Sequence, residues 1–388
     1  MSTRGFIRHT SRDGLISYFD KRDLRLPHDF DWKKAQPTLG RALIVACEGM
    51  SEAERSRFNV DAERITEMTN EPGQAALANI VKDEAFENLK SAHDRSTWAF
   101  LNTPLKFGQA EQARFADERR RKKMWDGWVA MPDLVLKRDE ETLTAFKEGI
   151  RKQFGSRHVH VDVFDRNRRV SGGSILPIVQ VAIYRDGQPT DDLAFGLQQD
   201  ELIRRSRRPV LEAALTYEPE SGIVEVVAND RETREELLRC MARDLMGIEL
   251  KGSKLPFKKY RLEGLLKPHD FLTDLEDEIS SVEVRSLRLM PMDEQTERVI
   301  LETSAKSSRT IWDMAQSHFG STDPLTSGFA CTQARLAITF QPTKGAGRGK
   351  VISLTITMPH SCNLGDHTTK EQMIGEKYLN RWNLLQDA

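Results

Sequence analysis

The spacing of apolar residues changes near Arg157, and this change constrains the fold more than any other feature of the sequence. Before it, apolar residues recur at helical spacing, as in the segment "RFNVDAERITEM". After it, segments such as "HVHVDVF" and "ILPIVQVAIY" alternate or are rich in β-branched residues, which is typical of strands. The sequence therefore predicts a mainly helical domain at residues 1–150 and an α+β, hairpin-rich domain at residues 156–388.

Cap signals mark the ends of several predicted helices. Ser51 and Glu54 have capping-box spacing, as do Thr368 and Glu371, and Asp230 is placed to cap the helix in "DRETREELLRCMARDLMG". Two further helices are predicted through "DEAFENLKSAHDRSTWAFL" and "EQARFADERRRKKMW". Together these signals place helices on both sides of the change in spacing.

Paired strands dominate the second half of the chain. The segment "RRPVLEAALTYEPESGIVEVVAND" reads as two strands joined by a turn at residues 219–222, and a second hairpin connects "ARLAITF" to "VISLTITM". Such hairpins outnumber strand–helix–strand alternations. We therefore expect mixed or antiparallel sheets with packed helices, an α+β fold, rather than a Rossmann-like arrangement.

Composition and charge exclude several classes of protein. The longest apolar runs, such as "ALIVAC", fall far short of the ~20 residues that span a bilayer, so no membrane partner is expected. The four cysteines form no CxxC pair, and the N-terminus lacks the apolar core of a secretory signal, so we expect a soluble, cytoplasmic protein with reduced thiols. Because the net charge is only −1, any attraction to nucleic acid must come from local patches.

The segment "RHVHVDVFD" is the sharpest chemical feature. On a strand, His158, His160 and Asp162 share one face, and valines line the other. Imidazole and carboxylate groups suit a divalent metal ion, and His360 and His367 in "PHSCNLGDH" are candidates for completing its shell. Under this hypothesis the protein is a metal-dependent hydrolase in which bound water is the nucleophile.

A simpler interpretation explains the same segment. A strand with an all-valine face needs a polar opposite face, and histidine and aspartate supply it without binding any ligand. No complete metal motif closes the site within the sequence. Both interpretations remain open, and no cofactor is predicted under the simpler one.

Basic clusters form a second set of candidates, because cations contact phosphates and neighbouring aromatic rings stack on bases. A further basic segment spans residues 251–261. The residues predicted to bind nucleic acid are Arg119, Arg120, Arg121, Lys122, Lys123, Arg204, Arg205, Arg207, Arg208, Lys344, Arg348 and Lys350.

The cluster at residues 119–123 also has a structural alternative. Asp117 and Arg121, like Glu118 and Lys122, stand four residues apart, which is the spacing of ion pairs on a solvated helix face. The loop "QPTKGAGRGK" resembles a phosphate loop, but Val351 and a strand follow it where that motif requires Ser or Thr and a helix.

These observations favour a non-catalytic binding or adaptor subunit that engages nucleic acid through local basic clusters, alongside a catalytic protein partner. A metal-dependent hydrolase and a protein-only scaffold are the alternatives. No catalytic residue is assigned, and the sequence leaves open whether the chain is an enzyme.

Overall fold

The structure is a computed structural model that describes residues 2–121, 124–169, 175–196, 201–249, 254, 259–293, 296–326, 328–342, 348–359 and 361–386. Helices and antiparallel sheets together confirm the predicted α+β class, with 43% helix and 27% strand. Within these ranges, no helix combines the length and apolar character needed to cross a membrane.

The contacts divide the chain into two compact units. The first contains residues 1–168 and 175–254, and the second contains residues 255–388 with 169–174. The first unit thus holds both the N-terminal helices and the first large sheet. The division into domains at residues 1–150 and 156–388 stays a prediction.

The first unit begins with a bundle of helices whose aromatic side chains form its core. The rings of Phe6, Tyr18 and Phe58 contact one another edge-on or tilted, and all three are completely buried. The helices are α1 (Ser2–His9), α2 (Arg12–Lys21), α3 (Gln36–Glu48), α4 (Glu52–Glu67), α5 (Glu71–Ile80), α6 (Glu84–Glu87), α7 (Ala92–Asn102) and α8 (Pro104–Arg121).

Two predicted helices in this region have different limits. The segment predicted as one helix before Asn102 forms two, because α6 ends at Asn88 and the Ser91 side chain accepts a hydrogen bond that begins α7. The helix predicted to run through Trp125 stops earlier, since Trp125 pairs with Val227 in a sheet. Tertiary pairing overrides the helical pattern there.

A five-stranded sheet follows the bundle, in the order β1-β7-β6-β3-β2. The elements of this part are β1 (Trp125–Val129), α9 (Glu140–Phe154), β2 (Val159–Arg169), β3 (Ile175–Asp186), β4 (Thr190–Phe195), β5 (Leu202–Arg207), β6 (Val210–Glu218), β7 (Ile223–Val227) and α10 (Arg231–Met241), which a π-helical turn extends.

Both faces of this sheet are covered. Val181, Leu215 and Val226 pack with side chains of α9 and α10 on one face, and they are completely buried. On the other face, Ala116 of α8 packs against Ala214. Helix α8 therefore lies between the helical bundle and the sheet, and this position sets the environment of the basic residues at its end.

The predicted turn between β6 and β7 is confirmed. Gly222 adopts a φ of +73°, and an added Cβ would lie 2.6 Å from the carbonyl oxygen of Ala130. Only glycine combines this backbone conformation with such a close approach.

The second unit is built on a sheet of order β10-β9-β11-β12-β13, whose neighbouring strands are all antiparallel. Ile352, Leu354 and Ile356 alternate with more exposed residues and enter its core, as period-two spacing predicts. Its elements are β8 (Lys259–Tyr260), β9 (Ile279–Pro291), β10 (Val299–Glu302), α11 (Ile311–Phe319), β11 (Phe329–Phe340), β12 (Val351–Thr357), β13 (Ser361–Cys362), α12 (Thr369–Arg381) and β14 (Leu385–Gln386).

The predicted helix caps are confirmed. Reciprocal capping boxes join Ser51 with Glu54 and Thr368 with Glu371, and the Asp230 side chain accepts a hydrogen bond from the Thr233 amide. Each cap satisfies backbone amides that have no partner inside the helix.

Ser51→Ala should destabilise the first turn of α4, because it removes a helix cap that contributes about 1 kcal/mol to the free energy of unfolding. We expect the first amides of α4 to exchange hydrogen about five-fold faster, measured by hydrogen exchange and mass spectrometry. Ser56→Ala, an exposed change inside the same helix, is the control and should leave exchange unchanged or slower. Equal exchange in both variants would show that the cap contributes nothing.

Candidate nucleic-acid interface

The first residues of strand β2 alternate buried valines with more exposed polar residues. Val159 and Val161 are buried, whereas His160 is exposed, and its Nε2 lies 3.2 Å from Oδ2 of Asp162. That same carboxylate oxygen accepts a hydrogen bond of 2.9 Å from Gln112 of α8. His158 is exposed just before the strand, and its backbone amide donates to Asp186.

No group of three His, Cys, Asp or Glu side chains in the described ranges is arranged to hold a metal ion. His367 belongs to the second unit, where its ring lies 3.3 Å from the carbonyl oxygen of Ser353 and 3.8 Å from the Glu371 carboxylate. His360 lies outside the described residues. The metal set that includes it stays a prediction, and the observed contacts of His160 and Asp162 fit the polar strand face.

In the basic run at the end of α8, the described side chains of Arg119 and Arg120 contact other residues of the protein. Arg119 stacks on Phe115, with 5.3 Å between guanidinium carbon and ring centre, and donates to Asn229. The Nε of Arg120 lies 2.7 Å from the Glu225 carboxylate. The side chain of Arg121, with Lys122 and Lys123, lies outside what the structure describes.

Asp117 and Glu118 form ion pairs with described residues other than Arg121 and Lys122, whose side chains lie outside the described part of the chain. Asp117 binds Arg166 of β2 through two hydrogen bonds of 2.7 and 3.0 Å, and Glu118 pairs with Arg114 at 3.1 Å. Asp117 reaches the strand because alternate residues of β2 point toward α8. Spacing along a helix cannot reveal such a contact with a distant strand.

These pairs belong to an ionic network between α8 and the sheet. Arg166, Arg168 and Glu225 are buried in it, whereas the side chains of Arg120 and Asp117 are 41% and 27% exposed. Arg168 Nη1 lies 2.7 Å from the Glu225 carboxylate, and its Nε lies 3.5 Å from Asp117. Arg166 donates a further hydrogen bond of 2.5 Å to Gln180, which is completely buried. The network, defined as Asp117, Arg120, Arg166, Arg168 and Glu225, holds three cations and two carboxylates.

The network lowers the pKa values of its two carboxyl groups. Burial by itself raises the pKa of Glu225, but the charges of Arg120 and Arg168 outweigh it and lower that pKa to about 2. The pKa of Asp117 is lowered in the same way, because Arg166 and Arg168 offset its desolvation. Arg120 is thus committed to neutralising a buried carboxylate, which weakens the case for it as a phosphate ligand.

The cluster at residues 204–208 lies on and just after β5. Strands β4 and β5 pair to form a two-stranded ribbon, which we call the arm. The arm extends the hairpin of β3 and β6: Asp186 pairs with Val210 in the sheet, and Thr190 pairs with Arg207 in the arm. Arg208 lies at its base, where it donates to the carbonyl oxygen of Gly187 at 3.1 Å.

The arm exposes both basic and apolar side chains. Arg207 forms a salt bridge with Asp192, whereas Arg204 and Arg205 are exposed and form no salt bridge within the described ranges. Register places Leu193 opposite Arg204 and Phe195 opposite Leu202 on one face. Leu193, Phe195 and Leu202 are 65%, 72% and 61% exposed.

The last cluster lies in the second unit, between β11 and β12. The Nζ of Lys350 lies 2.5 Å from the Glu371 carboxylate, which α12 contributes. Arg348 is exposed, and Lys344 lies outside the described residues. Among the described residues of the predicted basic clusters, Arg204 and Arg205 are therefore the arginines that are exposed on a strand and form no salt bridge.

Comparison with protein-family models and with curated proteins finds no match to this chain. Function is therefore inferred from the geometry of the protein's surfaces and of the network.

Glu225→Gln should destabilise the first unit and reduce its sensitivity to acid. At neutral pH the loss should be about 3–5 kcal/mol, because Arg120 and Arg168 would lose a buried partner. Since the folded pKa is about 2 and that of unfolded glutamate is about 4.3, Glu225 contributes stability above pH ~4.3 that is lost as the pH falls toward 2, about 3 kcal/mol in total.

Urea unfolding of the full chain between pH 7 and pH 2.5 measures both effects. Glu220→Gln, a change at the exposed turn after β6, is the control and should follow the unaltered protein. Parallel pH profiles for the Glu225→Gln variant and the unaltered protein would contradict this assignment of the acid sensitivity.

Proposed function

We propose that the chain is a non-catalytic binding subunit that holds double-stranded nucleic acid through the arm formed by β4 and β5. A catalytic protein partner supplies the chemistry. The observation that carries the proposal is the pair Arg204 and Arg205, exposed on an ordered ribbon that extends from the first sheet.

The dimensions of the arm suit a nucleic-acid groove. Each strand has six residues and is about 20 Å long at ~3.4 Å per residue, and paired strands lie ~4.8 Å apart. The major groove of B-form DNA is about 12 Å wide and admits a two-stranded ribbon. The exposed apolar side chains of the arm can contact bases once the ribbon has entered.

The charges of the arm support phosphate contact. Arg205 points to the opposite face from Arg204, so the two cations flank the ribbon and can reach the two sides of a groove. Arg207 is partly neutralised by Asp192 and contributes less. Binding should therefore depend mainly on Arg204 and Arg205 and weaken with salt.

The double variant Arg204→Gln, Arg205→Gln should weaken binding to a 20-base-pair duplex and lower the slope of log K against log salt by about 2, near 0.9 for each lost phosphate contact. Fluorescence anisotropy between 50 and 200 mM salt measures both. The matched control is Arg231→Gln, Arg239→Gln, which removes two exposed arginines of α10. No binding by the unaltered protein at 50 mM salt, or equal slopes for both variants, would overturn the proposal.

A protein-only scaffold is the second candidate, and the apolar face of the arm favours it. Leu193, Phe195 and Leu202 expose more than half of their surfaces on one face, and pairing with a second copy of the chain would remove that apolar surface from water.

In that case the unaltered chain should sediment as a dimer and the variant Leu193→Ser, Leu202→Ser as a monomer, in analytical ultracentrifugation. Arg204→Gln, Arg205→Gln should leave the dimer intact. A monomeric unaltered chain would remove this candidate.

A further inference from the structure

A pocket of about 250 Å³ opens on the helical bundle of the first unit, apart from the residues of the arm and the network. It is smaller than the roughly 300–1,000 Å³ of sites for drug-sized molecules, so it suits a small ligand. Lys21, Arg22 and Arg64 provide its polar lining, and Phe100, Leu101, Pro104 and Phe107 provide its apolar lining.

The two arginines of the pocket are held in fixed positions. Arg22 binds Asp61 through Nε at 2.7 Å and Nη2 at 3.3 Å. Arg64 binds Glu111 in the same manner, through Nε at 2.9 Å and Nη2 at 2.6 Å. Both guanidinium groups thus use the same two nitrogens, and Nη1 of each forms no hydrogen bond to any described residue.

The rings of Phe100 and Phe107 form cation–π contacts with these guanidinium groups. The guanidinium carbons of Arg22 and Arg64 lie 5.6 and 5.3 Å from the centre of the Phe100 ring, and that of Arg64 lies 5.6 Å from Phe107. A planar guanidinium held by a carboxylate at one edge and a ring on its face loses little entropy when it binds an anion.

Lys21 supplies the excess positive charge. Asp61 and Glu111 balance Arg22 and Arg64. The Nζ of Lys21 instead donates a 2.5 Å hydrogen bond to a neutral group, the side-chain Oδ1 of Asn102. An ammonium group has three donors, so Lys21 retains two for a ligand. Three cationic donors therefore border one small pocket whose net charge is +1.

We propose that this pocket binds a phosphate monoester whose apolar group lies against Leu101 and Pro104. A phosphate presents three oxygens to the three cationic side chains, whereas a carboxylate presents only two. The phosphate can belong to a small metabolite or to the 5′ end of a nucleic-acid strand. The site is independent of the arm, so its existence does not rest on the proposed function.

Phenyl phosphate is the first probe, titrated into the full chain by calorimetry, with benzoate as the comparison. We expect phenyl phosphate to bind and benzoate to bind at least ten-fold more weakly. Lys21→Ala should weaken phenyl phosphate binding by about ten-fold or more, because it removes a charged hydrogen-bond donor. Lys82→Ala, an exposed lysine of the same bundle that does not line the pocket, is the matched control.

Competition distinguishes the two sources of the phosphate. A nucleoside monophosphate that displaces phenyl phosphate more strongly than a 5′-phosphorylated oligonucleotide indicates a metabolite, and the reverse order indicates a strand end. The Arg204→Gln, Arg205→Gln variant should bind phenyl phosphate normally, which separates this site from the arm. Absence of phenyl phosphate binding, or equal affinity in the Lys21→Ala and Lys82→Ala variants, would overturn the proposal.

Discussion

The contact between α8 and the first sheet depends on the partly buried ionic network of Asp117, Arg120, Arg166, Arg168 and Glu225. Burying Arg166, Arg168 or Glu225 alone would cost several kcal/mol, so each is tolerated only because a partner of opposite charge lies within hydrogen-bonding distance. This reciprocal requirement fixes where α8 crosses the strands. The N-terminal bundle packs on the other side of α8 and belongs to the same compact unit.

The arginines of the network, the arm and the pocket lie in three different environments within the first unit. Arg166 and Arg168 are almost completely buried and paired, and they stabilise a helix–sheet contact. Arg204 and Arg205 are exposed on a ribbon that extends from the sheet. Arg22 and Arg64 lie between these extremes, since a carboxylate occupies one edge of each guanidinium group and leaves Nη1 for a ligand. A count of basic residues cannot make these distinctions, because they depend on the partner each side chain meets.

The two proposed sites are consistent with one binding protein, but they depend on different interactions with phosphate. Duplex binding at the arm would be a long-range, salt-sensitive attraction between Arg204 and Arg205 and the phosphates. The pocket would bind one phosphate through positioned donors above aromatic rings, with specificity from geometry. Their residues do not overlap, so either site can exist without the other.

Much of the fold was determined by the sequence itself. The change from helical to period-two spacing near Arg157, the boxes at Ser51 and Thr368 and the turn at Gly222 all depend on local chemistry, and each appears in the structure. The helix predicted through Trp125 was wrong because pairing with a distant strand decides that residue's conformation. The alternation of "HVHVD" correctly placed His160 beside Asp162.

Tertiary structure alone decided which charged residues are available. The sequence grouped Arg119 and Arg120 with Arg204 and Arg205, but only folding brings Glu225 to Arg120 and leaves the arm in solvent. The pocket proposed to bind phosphate was not predicted, because Lys21, Arg64 and Phe100 come from three helices far apart in the chain. The pattern of helices and strands depends on neighbouring residues and can therefore be predicted from the sequence. The pairing of charges depends on contacts between residues that are far apart in the chain.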